Sequence, residues 1–280
     1  MEREQERMGR YNLAQEAAFK ALKKYKVVYL TLQGSQNYNL DFYDEDYQSD
    51  FDFKAVIIPS LDEVLRGAAK VSIKIDYQYG QIDIKDIRVW EEVLQKGNPS
   101  YLEVLFTDYY WIDPEYEGYF NFMREFREEY AWTFRLQLLK ASIGMMYEKD
   151  KAMCHPYPTI RHKIEKWGYD GKQSSHLIRL YCFLTQYFIK RSTLKEAFDT
   201  RSYEPAIYGE VLSHKYNMPS LEDALDDSKK YLKMVEDLKT TVLISFNSNP
   251  LDYEWKYKYH DKVIEAIRYS VTKEILNGGI

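Results

Sequence analysis

Cysteine is nearly absent: Cys154 and Cys182 are the only two in 280 residues. Isolated and without CxxC spacing, they exclude a disulfide framework and a thiolate zinc site, and the expectation is two buried thiols of a cytosolic protein. No stretch of about 18 apolar residues occurs anywhere, and no apolar run follows MEREQERMGRYNLAQ. Neither a membrane span nor a signal peptide is therefore expected, and the expected location is cytoplasmic. Internal repeats, low-complexity tracts and long linkers are missing too. Basic charge is in deficit, with 39 Lys and Arg against 44 Asp and Glu for a net charge of -5. That balance argues against a protein that coats nucleic acid non-specifically and leaves room for a local basic groove.

What the chain does have is apolar content, 45%, enough for one large core or two small ones, and 27 tyrosines. The tyrosines are read as amphipathic core and rim in preference to base-stacking surface.

The stretch GSQNYNLDFYDEDYQSDFD, Gly34 to Asp52, carries the first chemistry. It follows the apolar run Val27 to Leu32, whose β-branched and aromatic residues predict a buried strand ending in a Gly-Ser turn. A second strand, Phe51 to Pro59, opens at a carboxylate pair. Asp50 and Asp52 stand two residues apart, so both leave one face while Phe51 and Phe53 leave the other. Two adjacent carboxylates repel, and a cation between them keeps both ionised; hard oxygen ligands of this number suit Mg²⁺ with substrate phosphates. Backbone N–H groups at Gly34 and Ser35, and the Ser35 hydroxyl, would meet those phosphates. Asp-X-Asp by itself more often decorates a solvated turn. Between Asp41 and Asp52 lie six carboxylates and no basic residue, so this loop needs a counter-ion; Asp41, Asp44, Glu45 and Asp46 are read as its solvated outer acids.

The rest of the first half alternates. A helix is predicted over Leu13 to Tyr25, and another after Pro59, with Ser60 as N-cap and Glu63 closing a capping box. Val71 to Tyr79 and Ile82 to Ile87 predict a hairpin around Gly80-Gln81. On its second strand Ile82 and Ile84 share one face and Asp83 the other, which makes Asp83 the candidate third carboxylate. Asp86 competes, but an N-cap for a helix over Ile87 to Lys96 accounts for it. Gly97-Asn98-Pro99 stops that helix, and a domain boundary is placed near Pro114.

Downstream the periodicity is helical: Phe120 to Lys149, Ile160 to Trp167, Gln173 to Ile189, Leu194 to Phe198, Ser220 to Leu238 and Glu254 to Leu276. Within it, Lys172, His176 and Arg179 recur at i, i+4 and i+7, one helix face carrying up to three cations that would match a triphosphate. A solvated basic face is the competing reading.

The segments GSQNYNL, SDFDFKAVIIPS, IDIKDIRVW with GNPSYLEVLFT, AMCHPYPTI and GYDGKQSSHLIRL, spread over residues 27 to 190, resemble successive blocks of the DNA polymerase β-like nucleotidyltransferase superfamily. The likeness is to its bacterial and phage group, related to the RNA-ligase-associated RNA-repair enzymes. The resemblance implies an α+β protein: a nucleotidyltransferase domain with a short mixed sheet over residues 1–113, and an all-helical domain over 114–280 closing the nucleotide cleft. It implies that Asp50, Asp52 and Asp83 hold two Mg²⁺ ions, with Mn²⁺ able to substitute, and that Gly34, Ser35, Lys172, His176 and Arg179 hold the nucleoside triphosphate. An RNA or tRNA 3′ end is then the expected acceptor, a protein hydroxyl the alternative, and nucleotide sensing without turnover a third reading. The loop between turn and acid pair is longer than in the compact family pattern, so Gln36, Asn37 and Tyr38 take no role by analogy.

Overall fold

In the computed structural model of the chain, residues 2–41, 49–247 and 253–278 are described. Asp44, Glu45 and Asp46 lie outside them. The first half runs α1 (Glu2–Leu22), β1 (Val27–Gln33), β2 (Asp52–Ile57), α2 (Leu61–Leu65), β3 (Ser72–Tyr77), β4 (Gly80–Asp86), α3 (Ile87–Gln95), α4 (Pro99–Leu102) and β5 (Tyr110–Ile112). The strands form one mixed sheet in the order β3-β4-β2-β1-β5, in which only β2 and β4 run parallel.

Alternation decides which residues each face receives. Leu30, Leu32, Phe53, Ala55, Ile82 and Ile84 pack against Tyr11, Ala14, Ala18 and Leu22 of α1. Each fully buried Leu, Ile or Phe among them contributes about 1.5–3 kcal/mol before ordering costs. The register pairs Gln33 with Asp52, Thr31 with Lys54, Lys54 with Asp83 and Val56 with Lys85, so the opposite face is largely polar where it meets the acid pair.

Local signals hold well here. Ser60 and Glu63 make the capping box, and the Asp86 side chain caps α3 by accepting from Arg88 N–H. The helix predicted over Phe120 to Lys149 instead breaks into α5 (Glu117–Glu125), α6 (Arg127–Thr133) and α7 (Arg135–Met153). The chain turns at Phe126, which stacks on Trp255 with centroids 4.7 Å apart, and at the buried Phe134.

Then come α8 (Arg161–Trp167), α9 (Gly171–Leu184), α10 (Leu194–Phe198), α11 (Pro205–Lys215), α12 (Leu221–Asn247) and α13 (Glu254–Leu276). Sequence periodicity missed α11, because its apolar residues do not gather into one stripe; only Val211 and His214 are buried on it. α13 returns to the first half. Lys26 Nζ donates to Ser270 Oγ at 2.8 Å, Glu274 accepts from Leu61 N–H at 2.7 Å, and Tyr259 stacks on Tyr130 at 3.7 Å. One apolar cluster joins Val28, Val56 and Trp90 to Phe183, Val235 and Tyr259, so the core runs across residues 113 and 114. No described helix is long and apolar enough to cross a membrane.

Two expectations change. Cys182 is buried, but Cys154, at the end of α7 where the helix runs out, is exposed. Asp41 is not a solvated loop acid: it is 2% exposed and held by the Arg7 guanidinium, Nη2 to Oδ1 at 2.6 Å and Nε to Oδ2 at 3.1 Å. Arg7 on α1 is thus the counter-ion this loop required, supplied from 34 residues upstream. Arg7→Ala removes the cation bridging a buried carboxylate and is expected to cost about 3 kcal/mol in urea unfolding, whereas a solvated pair would cost under about 1 kcal/mol.

Candidate functional site

β1 ends at Gln33, and Gly34 turns the chain with a φ of +86°, open to glycine at no steric cost. The turn is locked from within: Asn37 N–H donates to Gly34 O at 3.0 Å, Leu40 N–H to Ser35 O at 3.0 Å, and the Asn37 amide to Leu32 O at 2.8 Å. Gly34 N–H does not face open space. It donates to Glu103 Oε1 at 3.1 Å, so of the two N–H groups expected to meet phosphate, this one is occupied by a carboxyl. Ser35 is partly exposed on the same turn.

The strand β2 opens opposite, with Asp50 exposed and Asp52 half-buried. The β3–β4 turn clamps them. Tyr77 OH donates to Phe51 O, Phe51 N–H donates to Tyr79 O at 2.9 Å, and Gln81 N–H donates to Asp52 Oδ1 at 2.9 Å. Gly80, at φ +153°, passes so close that a Cβ there would stand 2.8 Å from Asp52 Oδ1 and 3.3 Å from Asp50 Cβ. Burial and the neighbouring Asp52 charge raise the pKa of Asp50, while Lys172 pulls it down. The pair therefore repels as expected, and the cation facing it comes from α9.

Asp83 shares the face of Asp52 but is level with Lys54, one pair further along. Its carboxylate is 3% exposed and taken: Lys85 Nζ lies 2.8 Å away, Lys54 Nζ 4.0 Å, and Tyr101 OH donates at 2.6 Å. Burial alone would raise its pKa, but the Lys85 and Tyr101 hydrogen bonds with the Lys54 and Lys85 charges bring it below the ordinary value. Asp86 is turned to Arg88 and caps α3.

On α9, Asp170 caps the first turn by accepting from Lys172 N–H. Lys172 is exposed; His176 is partly and Arg179 almost wholly buried, so this face is not simply a wet surface. His176 is not a third cation. Burial, then Arg179, Lys149 and Lys172, hold its pKa well below the ordinary value, and its Nε2 accepts from Arg179 Nη2. Arg179 lies 3.6 Å over the Tyr38 ring, and its pKa is lowered by burial. The cations that join Lys172 come from elsewhere: Lys149 on α7, lowered by burial and by Lys172 and Arg179, and Lys215 on α11, lowered to about 8 by burial and by Lys172. Helix packing of α7, α9 and α11 gathers them, and no local spacing reports it.

Sequence reasoning also passed over Lys54 and Glu103. Lys54 donates to Gln33 Oε1, lies 4.1 Å over the Tyr101 ring, and is lowered to about 8 by burial against the pull of Asp83. Glu103 is 3% exposed; burial raises its carboxyl to about 8, while Arg179 and the Gly34 N–H pull the other way. A lone acid inside Tyr101-Leu102-Glu103-Val104-Leu105-Phe106 was the available signal.

Among the described residues, one group of three or more acid, His or Cys side chains brings its ligand atoms within 4.8 Å: Glu210, His214 and Asp227. Asp50, Asp52 and Asp83 do not gather so tightly, because the register sets Asp83 beside Lys54. The Glu210 group is internally bonded: His214 Nε2 meets Asp227 Oδ2 at 3.2 Å, its Nδ1 meets Ser174 Oγ at 2.7 Å, and Tyr231 OH donates to Glu210 Oε2 at 2.8 Å. Lys230 lies within 4.0 Å of Glu210 and 3.7 Å of Asp227. It ties α9, α11 and α12 together, and Ser174, 2% exposed, has no access as a nucleophile. No protein-family model matches the chain, and no curated protein matches it.

The folded pKa of Glu103 lies above its ordinary 4.5, so the native state holds a proton that the unfolded chain releases. Its contribution is complete below about 4.5 and falls as pH rises toward about 8. Glu103→Gln should remove that slope: the difference in Tm between variant and wild type should shift in favour of the variant from pH 4.5 to pH 8. A constant difference would mean that Glu103 is ionised throughout.

Proposed function

We propose that the protein is a Mg²⁺-dependent nucleotidyltransferase that moves a nucleoside monophosphate from a triphosphate to the 3′ hydroxyl of an RNA end and releases pyrophosphate. The observation that carries this is the Asp50–Asp52 pair, clamped at the mouth of β2 beside the Gly34-Ser35 turn and faced by Lys172. The donor set fits a divalent cation: two partly exposed carboxylates on one face, whose repulsion a bound ion would relieve. When bound, the ion neutralises triphosphate charge and that of the departing pyrophosphate.

The chain's own residues account for the rest. Lys172 and Lys149, with Lys215 behind them, provide positive charge for the phosphate tail. Neutral His176 accepts from Arg179, which holds that guanidinium against Tyr38 and sets the shape of the turn. The acceptor oxygen attacks the α-phosphorus in line, the bond to the bridging oxygen breaks, and the hydroxyl proton leaves to a carboxylate or water. Asp83 takes that proton only by leaving Lys85 and Tyr101, so its role is charge balance with Lys85 and Lys54. An RNA end is favoured as acceptor by the resemblance of the segments over residues 27–190 to the RNA-repair group of nucleotidyltransferases. Binding without turnover is the second reading, favoured by the ion pairs that occupy Asp83.

Labelled triphosphates tested one at a time with Mg²⁺, total RNA and extract protein decide among these. Label is expected in nuclease-sensitive RNA; label in protease-sensitive bands would move the acceptor to protein, and tight triphosphate binding without label would leave sensing. Asp50→Asn and Asp52→Asn should each lower transfer by about a thousandfold while Tm in metal-free buffer holds or rises; retained transfer in either overturns the metal role. Lys172→Ala, at an exposed position, should weaken triphosphate binding by about tenfold with Tm unchanged. Arg179→Ala should lower Tm itself, because its side chain is interior.

A further inference from the structure

β3 is the outer strand at one side of the sheet, paired with β4 alone. Asp86 N–H donates to Val71 O at 2.9 Å, and the unbroken register from Ser72 opposite Lys85 to Tyr77 opposite Gly80 carries that phase along the strand. In an antiparallel ladder alternate residues exchange hydrogen bonds with the neighbour. Ile73, Ile75 and Tyr77 therefore bond to β4, while Ser72, Lys74 and Asp76 turn their N–H and C=O groups outward. Among the described residues none bonds to those outward groups. The side chains divide the same way. Ile75 and Tyr77 pack on the α1 side, where Ile73 is 41% exposed, and Lys74 and Asp76 stand exposed on the other side. No bulge and no proline blunts this edge, and such an edge is a template for another strand. A lysine there ordinarily guards against pairing, but it guards nothing against a strand that brings an acid opposite it.

We propose that β3 pairs antiparallel with β3 of a second copy of this chain, about a twofold axis at Ile75, so that one sheet runs through a dimer. Charge selects both the occupant and the register. Centring the pair on Lys74 would set lysine against lysine, and centring it on Asp76 would set acid against acid. Centred on Ile75, each Lys74 lies opposite Asp76 of the second copy, each Ile73 opposite Tyr77, and the two Ile75 residues face each other. The phase of the ladder agrees. Lys74 and Asp76 carry the outward N–H and C=O groups, so both charged pairs are hydrogen-bonded pairs, and the Ile75 pair between them is the closer, non-hydrogen-bonded kind. Within one chain these charges are unspent: Asp76 accepts from the neutral Gln81 amide at 2.9 Å, and among the described residues Lys74 makes no ion pair. Ile73, left exposed by α1, gains a tyrosine ring. The turn of this hairpin also holds Asp52 through Gln81 N–H, which sets the interface beside the acid pair, but the pairing does not depend on what that pair does.

Sedimentation equilibrium of the full chain, from micromolar to submillimolar concentration, should show monomer and dimer in exchange. Lys74→Glu and Asp76→Lys each put like charges into both symmetry-related pairs, and each should weaken dimerisation by about tenfold or more. Both positions are exposed, so Tm in dilute solution should hold. Lys74→Glu combined with Asp76→Lys restores opposite charges across the axis and should recover the dimer. A chain that stays monomeric throughout, a dimer that both single exchanges leave intact, or a loss that the combined exchange does not recover overturns the proposal. Crosslinking checks the register separately, in a Cys154→Ser background that removes the exposed native thiol. Oxidation should join Ile75→Cys chains by a disulfide, because Cα atoms of a non-hydrogen-bonded pair lie about 4.5 Å apart, within disulfide reach. Lys74→Cys chains, whose thiols face residue 76 of the second copy, should stay single. Linkage at position 74 in preference to 75 overturns the twofold at Ile75.

Discussion

The register of β2 between its two neighbours is the constraint on which the site depends. Gln33 opposite Asp52 and Lys54 opposite Asp83 put four polar side chains on one face and leave Phe53 and Ile82 to α1 on the other. A slip of one residue would exchange these faces, placing carboxylates under α1 and phenylalanine at the site mouth. The apolar face therefore enforces the polar one. The same register separates the acids by surroundings: Asp50 and Asp52 stand together, whereas Asp83 is met by Lys85 and Lys54.

The turn and loop from Gly34 to Asp41 are the second organising element, because both halves of the chain hold them. Arg7 reaches Asp41 and Asn39 from α1; Arg179 lies over Tyr38; Thr200 OH donates to Tyr38 O; Tyr208 OH donates to Asn39 O at 3.3 Å; and Lys215 donates to Leu40 O. Backbone oxygens that a solvated loop would give to water are met by side chains from α11 and the turn before it. The cation cluster and the acid pair are positioned through this segment, and any change in its shape moves both.

What could be read in the sequence was what short spacings encode. Period-two alternation placed Asp50, Asp52 and Asp83 on one sheet face, and the capping residues Ser60 and Asp86 were legible because a cap is a local bond. The i, i+4, i+7 row found the α9 face but not its charges, since the neutrality of His176 comes first from burial, then from Arg179 in the same row and from Lys149 on another helix. Glu103, Lys54 and Lys215 were illegible as site residues for the same reason: tertiary packing creates their environments. Asp41 was misread because its partner Arg7 is far away in sequence. The core crossing residue 113 was hidden likewise, because periodicity describes each helix and says nothing of its neighbour.

The return of α13 has a consequence for how the molecule is made. Leu61 waits for Glu274, 213 residues later, and Lys26 for Ser270, 244 residues later. At ribosomal speeds of about 5–20 residues per second, the shorter of these intervals lasts roughly ten to forty seconds. Throughout it the sheet-bearing half is translated but uncovered where α13 will lie, a surface for chaperones to guard. The sheet-bearing half is completed only when α13 has been made.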